Sequence, residues 1–552
     1  MAAAHRDDEL VLLPLGGAGE IGMNFNVYGY GPPDEREWII VDCGVLFGRE
    51  GPTPGIDLIM PDIRFLTEFK ENIRGLVLTH AHEDHIGAVP YLWPELECPI
   101  YATPFTARLL EDKLFEAGLQ NRVRPNIVPL GGRIELGPFA IELVSITHSI
   151  PEPNALGIRT PLGTVVHTGD WKLDPDPLLG EVTDENRLRA LGDAGVLALV
   201  CDSTNALVAG ESGSEARVEQ SLSDLIGTLK GRVAVTAFAS NAARLGSIAR
   251  AAKRHRRQIA LVGRAMHRIV SAARDTGYLD DFPATLDEAE AAQLPPSRVL
   301  YLCTGSQGEP RAALARIASG DHPNVSLGPG DTVIFSSRII PGNELAIFDI
   351  QNKLAALGVE VLTERDHFVH VSGHPAREEL AHMYRLVRPR IAVPVHGELR
   401  HMTEHARLAR SLQVPEAVVI TNGQMLRLAP GPAKIIDETP AGRVYLDGKV
   451  LVDESHDHVR ERRALGFAGV IAITIVFDGK GRVVAEAAIL LEGIPDAVHA
   501  PVQAAVDEAV RRRNPKKESE ELFLENVRRA ARRAAQDAWG KKPITRVYSV
   551  RV

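Results

Sequence analysis

The stretch GLVLTHAHEDHIGAVPYL, residues 75–92, decides how this chain is read. It begins as an apolar run suited to a buried strand. Then His80, His82, Asp84 and His85 follow within a few positions. His80 and His82 are two apart, so they share one side of an extended segment. Asp84 and His85 come after the turn, at the start of the next helix. A solvated polar loop has no need of three imidazoles and a carboxylate at one strand end. Neutral imidazoles with a carboxylate suit Zn²⁺, and Mn²⁺ less tightly. One short loop therefore offers ligand pairs to two neighbouring metals, at the strand end where α/β proteins place their sites.

The loop alone cannot complete two coordination spheres. Other strand ends supply the rest. His148 closes IELVSITH, Asp170 closes GTVVHTGD, and His396 ends the run IAVPVH. Asp42, in IIVDCG, lies on an early strand and is placed to hold the loop histidines from behind by hydrogen bonds.

Composition sets the frame. With 552 residues the chain is too long for one core, and two to four domains are expected. A hydrophobic content of 45% and a charged content of 24% are ordinary for a globular protein. No apolar run reaches the ~18 residues of a membrane span, and MAAAHRDDEL reads as no secretory signal. The cysteines Cys43, Cys98, Cys201 and Cys303 form no CxxC pair, which points to a reduced, cytoplasmic setting without membrane partners. A net charge of -10 argues against a basic coat and still allows a basic groove.

Short apolar runs punctuated by Gly and Pro fill residues 1–205, an α/β layer pattern. Residues 206–370 alternate strand and helix more strictly, as a second α/β domain with a mainly parallel sheet. Residues 371–445 carry the strand RIAVPVHGE, which the resemblance given below returns to the first domain. A linker is expected at 446–460 and a small α+β domain at 461–552. That domain holds a hairpin with an Asp-Gly turn, a basic helix in ELFLENVRRAARRAAQDAWG and a final strand. SHDH, residues 455–458, imitates a metal spacing without neighbouring acids and is read as surface.

HAHEDHIG, His148, HTGD and VPVHGE resemble the motif series of the metallo-β-lactamase fold. The insertion between Asp202 and His374 is similar to that of the β-CASP nucleases. LGGAGEIGMN, VDCGVLFG, GIDLIMPD, TGSQGEP, SSRIIPGNE and HVSGH resemble the bacterial ribonuclease J family, over residues 13–447. Met23 departs from that pattern, where lysine is expected. The resemblance implies an α/β fold: an αββα metallo-β-lactamase sandwich with an inserted β-CASP domain and a C-terminal α+β domain. It implies one metal on His80, His82, His148 and Asp170. A second falls on Asp84, His85, Asp170 and His396, with Asp170 bridging.

Two Zn²⁺ per chain are expected, with Mn²⁺ or Mg²⁺ serving in activity. A structural Ca²⁺ near GPTPGIDL and Asp447 is a further family-based expectation. Such a pair of metals clamps both oxygens of an in-line phosphoryl displacement. Asp84, His374 and Asp202 are the expected catalytic residues, with His374 at the leaving oxygen and Asp202 orienting it. Ser240, Asn241 and the run His370, Val371, Ser372, Gly373 and His374 are expected to bind RNA and hold a terminal 5′ phosphate. Ser240 also suits a helix N-cap. KRHRR, residues 253–257, and RRRNPKK, residues 511–517, are candidates for the RNA path. The implied activity is 5′-to-3′ exonuclease action favouring monophosphorylated ends, with endonuclease action, in mRNA decay and rRNA maturation. Single-stranded RNA, a homodimer or homotetramer, and other RNA-decay proteins are the implied partners. The alternative is a dinuclear hydrolase of small thioesters or lactones, which gives no reason for the insertion or for HVSGH.

Overall fold

A computed structural model describes residues 5–48, 52–514 and 516–552. The chain divides into two compact units: Met1–Leu46 with Met60–Arg443, and Phe47–Ile59 with Val444–Val552.

The first unit is built on two sheets packed face to face. One has eight strands. Its centre is Glu9–Gly16, Phe25–Gly31, Glu37–Val41 and Ile73–Val77 in that order. The other has seven, and its centre is Asn154–Thr160, Gly163–His167, Ala198–Asp202 and Ile391–Val395. Leu12, Tyr28, Ile39 and Val77 of the first share one core with Ile141, Ile158, Val200 and Val393 of the second. The far face of the second sheet is covered by helix Arg377–Val387, through Leu380, Met383 and Tyr384 against Val166 and Leu199. These strands read as near-continuous apolar runs because both faces are buried.

The chain leaves this sandwich after Asp202 and builds a separate six-stranded sheet. Its order is Thr285–Leu286, Gln258–Val262, Val299–Cys303, Val233–Thr236, Thr332–Phe335, Glu360–Leu362, and every pair is parallel. The chain then returns. Ile391–Val395 pairs in parallel with Ala198–Asp202, with Asp202 opposite Val395. That register sets Asp202 next to His396, although the whole insertion lies between them.

A buried guanidinium pins the insertion. Arg244 donates to Glu215 at 2.8 and 2.9 Å, to Ser336 O at 2.9 Å and to Val369 O at 3.1 Å. Both charged partners are almost wholly buried. Helix Ala242–Arg254 is capped by Asn241, whose side chain accepts from Arg244 N. Ser240, expected in that role, stands one residue too early. Arg257, expected near RNA, is buried and donates to the carbonyls of Gly231, Val299 and Leu229. The run 511–517 includes residue 515, which lies outside the described residues.

In the second unit, strand Val470–Phe477 alternates in burial and directs Ile471, Ile473, Ile475 and Phe477 onto helices His499–Arg512 and Glu520–Trp539. It pairs antiparallel with Ala488–Glu492 and parallel with Ile544–Arg551. Residues 446–460 are folded, contrary to the expected linker: Arg443–Asp447 and Val450–Asp453 form a hairpin, and helix His458–Ala468 begins within the stretch. Turn residues there mark a tight hairpin loop. Of the stretch expected near calcium, Gly51 lies outside the described residues, and the Asp447 carboxylate is paired with Arg462 at 2.7 Å. His456 and His458 face each other at 3.1 Å.

Arg244→Met should cost about 3–5 kcal/mol, because Glu215 is left buried without its cation. Chemical denaturation of single and double variants checks this. Adding Glu215→Gln should recover part of the loss. A cost below about 1 kcal/mol for Arg244→Met would show that the guanidinium does not hold the insertion.

Candidate metal centre

The seven candidate ligands meet at the carboxyl ends of the sandwich strands. Ligand atoms of His80, His82, His148 and Asp170 lie within 4.8 Å of one another, and so do those of Asp84, His85, Asp170 and His396. A third group, Asp170, Asp202, His374 and His396, meets the same limit. Asp170 belongs to all three.

The rings are aimed by what their outer nitrogens do. His85 Nδ1 donates to Asp42 Oδ2 at 2.7 Å. Thr79 gives its hydroxyl proton to the same oxygen at 2.9 Å, so it accepts from His80 Nδ1, also at 2.9 Å. His148 Nδ1 donates to Gly373 O at 2.5 Å. Thr204 Oγ1 donates to Asp202 Oδ1 at 2.7 Å and accepts from His396 Nδ1 at 2.8 Å. For His80 and His148 this leaves Nε2 with its lone pair facing inward, while His85 Nε2 faces Asp170 Oδ2 at 3.2 Å and His396 Nε2 faces Asp84 Oδ2 at 3.1 Å. His82 is the exception and turns Nδ1 inward, 3.1 Å from both His80 Nε2 and His148 Nε2.

Backbone shape serves the same end. Asp42 and His396 sit at strand ends with φ of 65° and 49°, a conformation non-glycine residues rarely adopt. A Cβ on Gly44 would stand 1.7 Å from Asp84 O, so the early strand end can pack against the loop only as glycine. A Cβ on Gly373 would meet the His148 ring at 2.7 Å.

This donor set fits divalent metal. Burial disfavours the charged imidazole, pushing His80 and His148 well below the ordinary range and His82 to about 4. Neutral histidine is the ligating form. Burial acts on His85 and His396 too, but there Asp170 and the other carboxylates outweigh it and raise both. That side of the cluster has negative charge calling for a cation. Asp170 Oδ1 is buried without a hydrogen-bond partner. Asp84 has its side chain 30% exposed, against 2% for Asp170, so the cluster opens to solvent on the Asp84 side.

His374 joins this cluster from the returning chain. Its Nδ1 is 2.8 Å from Asp202 Oδ2, and its ring stacks on His396 at 5.4 Å. Burial lowers its basicity, but Asp202 and Asp170 more than offset this and raise it. The same Nδ1 is 3.8 Å from Asp170 Oδ2. Asn205 donates to Ser372 Oγ at 2.8 Å and to His374 O at 3.0 Å, tying HVSGH to the strand end that carries Asp202.

Of the expected substrate residues, His370 keeps a buried Nδ1 with no partner, and Ser372 accepts from Asn205 and from His374 N. Val371 turns inward against Gly213. Asn241 is occupied by its cap and by Glu215. Ser240 is half-buried beside it. Sequence reasoning missed Thr79, Thr204 and Asn205. Each sits one to three residues from a recognised ligand or from Asp202, and that adjacency was the only signal.

Comparison with known proteins places this geometry. Residues 26–200 match the metallo-beta-lactamase superfamily, and 230–354 match the ribonuclease J beta-CASP domain. Residues 358–418 match a Zn-dependent metallo-hydrolase RNA specificity domain, and 458–552 a ribonuclease J C-terminal domain. A ribonuclease J of Sinorhizobium meliloti is 48% identical over 100% of both chains. One from Thermus thermophilus is 40% identical over 85% of this chain and 82% of its own. A crystal structure of a protein of unknown function from Enterococcus faecalis is similar in fold, with a TM-score of 0.51 and 15% identity, over 76% of this chain and 100% of that one.

Asp42→Asn should weaken metal binding by about 10–100-fold, since it loosens His85 directly and His80 through Thr79. Competition with a chelator, read by metal analysis, measures it. His80→Ala should lose at least one metal per chain. Full metal content in that variant would remove it from the ligand set.

Proposed function

Because the chain belongs to the ribonuclease J family, we propose that this metal-dependent ribonuclease is a two-metal 5′-to-3′ exonuclease that also cuts internally and favours 5′-monophosphate ends. The observation that carries the reading is the third residue group. The His374–Asp202 pair shares Asp170 and His396 with the candidate metal ligands, so two side chains outside the two metal sets lie within the same cluster.

His80, His82, His148 and Asp170 would hold one divalent cation, and Asp84, His85, Asp170 and His396 the other. Bound there, two such ions supply Lewis acidity and offset the charge that develops on a phosphorane. Zn²⁺ suits the imidazole-rich set best. The remaining work falls to the chain. As water adds to the scissile phosphorus, His374, oriented by Asp202, delivers a proton from Nε2 to the departing 3′ oxygen. Asn205 holds the His374 carbonyl and Ser372, which fixes that approach. Gly373 serves twice, leaving room for the His148 ring and accepting its Nδ1–H.

The His370–His374 run and Ser240 would hold the terminal phosphate. A monophosphate there makes charge-assisted hydrogen bonds. A triphosphate places its outer groups badly, and a 5′ hydroxyl leaves donors unpaired, at about 1–3 kcal/mol. The same reading puts the protein in the cytoplasm, in mRNA decay and rRNA maturation, as a homodimer or homotetramer assembled through residues 461–552. It also keeps domain limits near 205, 370 and 445.

His374→Ala should retain metal yet lose about 10²–10⁴-fold in rate. A substrate with a better leaving group than a ribose hydroxyl should be slowed less, and equal slowing would show that His374 is not the leaving-group acid. One RNA carrying a monophosphate, a triphosphate or a hydroxyl at its 5′ end tests the pocket. Ser372→Ala should narrow the monophosphate preference. Equal wild-type exonuclease rates on all three ends would rule the pocket out.

A further inference from the structure

From Phe368 to Ser372 burial alternates. Val369 and Val371 are buried, while Phe368 is 41% exposed and His370 and Ser372 are half-buried. Phe368, His370 and Ser372 are the accessible side chains of the segment that leads to His374, and a tight turn at Phe368, closed by Val369 N donating to His367 O at 2.8 Å, sets its upstream end. Two residues of chain span at most about 7 Å, close to the length of one nucleotide.

Before His370 the segment borders a groove of about 580 Å³ through His367 and Phe368. It lies along helix Glu215–Thr228, with Arg217, Gln220, Ser221, Asp224 and Thr228 on one flank and His367 and Phe368 on the other, and Gln220 Nε2 donates to Asp224 Oδ1 at 2.8 Å. The Arg217 guanidinium lies over the Phe368 ring at 4.9 Å. Arg217 is exposed and has no carboxylate partner among the described residues. The groove is held in register with the HVSGH segment, because Arg244 bonds Glu215 in the helix and Val369 O in the segment. An aromatic face, a stacked guanidinium and nearby amide and hydroxyl groups are the chemistry that receives a nucleobase of single-stranded RNA.

We propose that this groove is a base-stacking subsite for the nucleotide immediately upstream of the one whose phosphate the His370–His374 run holds. The proposal rests on that phosphate reading. A strand bound by its 5′ end stops at His370, and no base reaches Phe368. A strand cut internally continues upstream, and Phe368, with Arg217 over its ring, is the first accessible side chain before His370. The subsite serves internal cutting and sets its balance against end-dependent degradation.

The test uses full-length, metal-loaded protein, a circular RNA, and a linear 5′-monophosphorylated RNA of the same sequence. Phe368→Ala should raise KM for the first cut of the circle by roughly tenfold. The ratio of internal to end-dependent cleavage should fall by a similar factor, and Phe368→Trp should restore it. An abasic nucleotide upstream of a mapped cut site should reproduce the loss in wild type and add nothing in Phe368→Ala. Unchanged cutting of the circle, or equal slowing of circle and linear RNA, overturns the proposal. Failure of the phosphate reading shows separately, as equal wild-type rates on monophosphate and hydroxyl ends.

Discussion

An imidazole can aim a lone pair at a metal only if its other nitrogen has somewhere to put a proton. Most of the site follows from that constraint. Asp42 takes the proton of His85 and, through Thr79, settles that of His80. Gly373 O takes that of His148, and Thr204, itself committed to Asp202, takes that of His396. The strained backbone at Asp42 and His396 and the obligatory glycine at position 44 keep these acceptors in place. Burial then keeps His80, His82 and His148 in the neutral, ligating form.

The insertion turns this cluster into a reaction site. Asp202 ends the last strand before the chain departs, and His396 follows the strand that returns beside it. Between them the chain delivers His374 on a segment tied to the Asp202 strand end by Asn205, and to the inserted sheet by Arg244 through Val369. Binding face and ligand cluster are thus fixed by the same few buried polar contacts. Loss of a contact such as Asn205 Nδ2 to Ser372 would disturb both.

Much of this was legible in the sequence because the ligands fall at the ends of apolar runs, where strand ends converge. His80, His82, Asp84, His85, His148, Asp170 and His396 all carry that mark. Thr79, Thr204 and Asn205 do not, because a threonine or asparagine at a strand end is ordinary, and only three-dimensional contacts show what it holds. Ser240 and Asn241 are both good caps, and spacing alone could not choose between them. Arg257 reads as surface charge in a basic run, yet its stem and head are consumed by buried carbonyls. The hairpin within residues 443–453 was missed because turn residues mark tight hairpin loops and linkers alike. The helices His458–Ala468 and His499–Arg512 also escaped notice.

The pairing of Ala198–Asp202 with Ile391–Val395 also governs when the protein becomes active. A ribosome emits the chain at about 5–20 residues per second. The first sheet, the HxHxDH loop and Asp202 emerge early, but His374 and His396 emerge only after the entire inserted sheet. For roughly the first 400 positions of synthesis, the nascent chain therefore holds an incomplete set of candidate ligands and lacks His374. A nuclease that is translated from RNA thus stays unarmed for most of the time it is tethered to its own message.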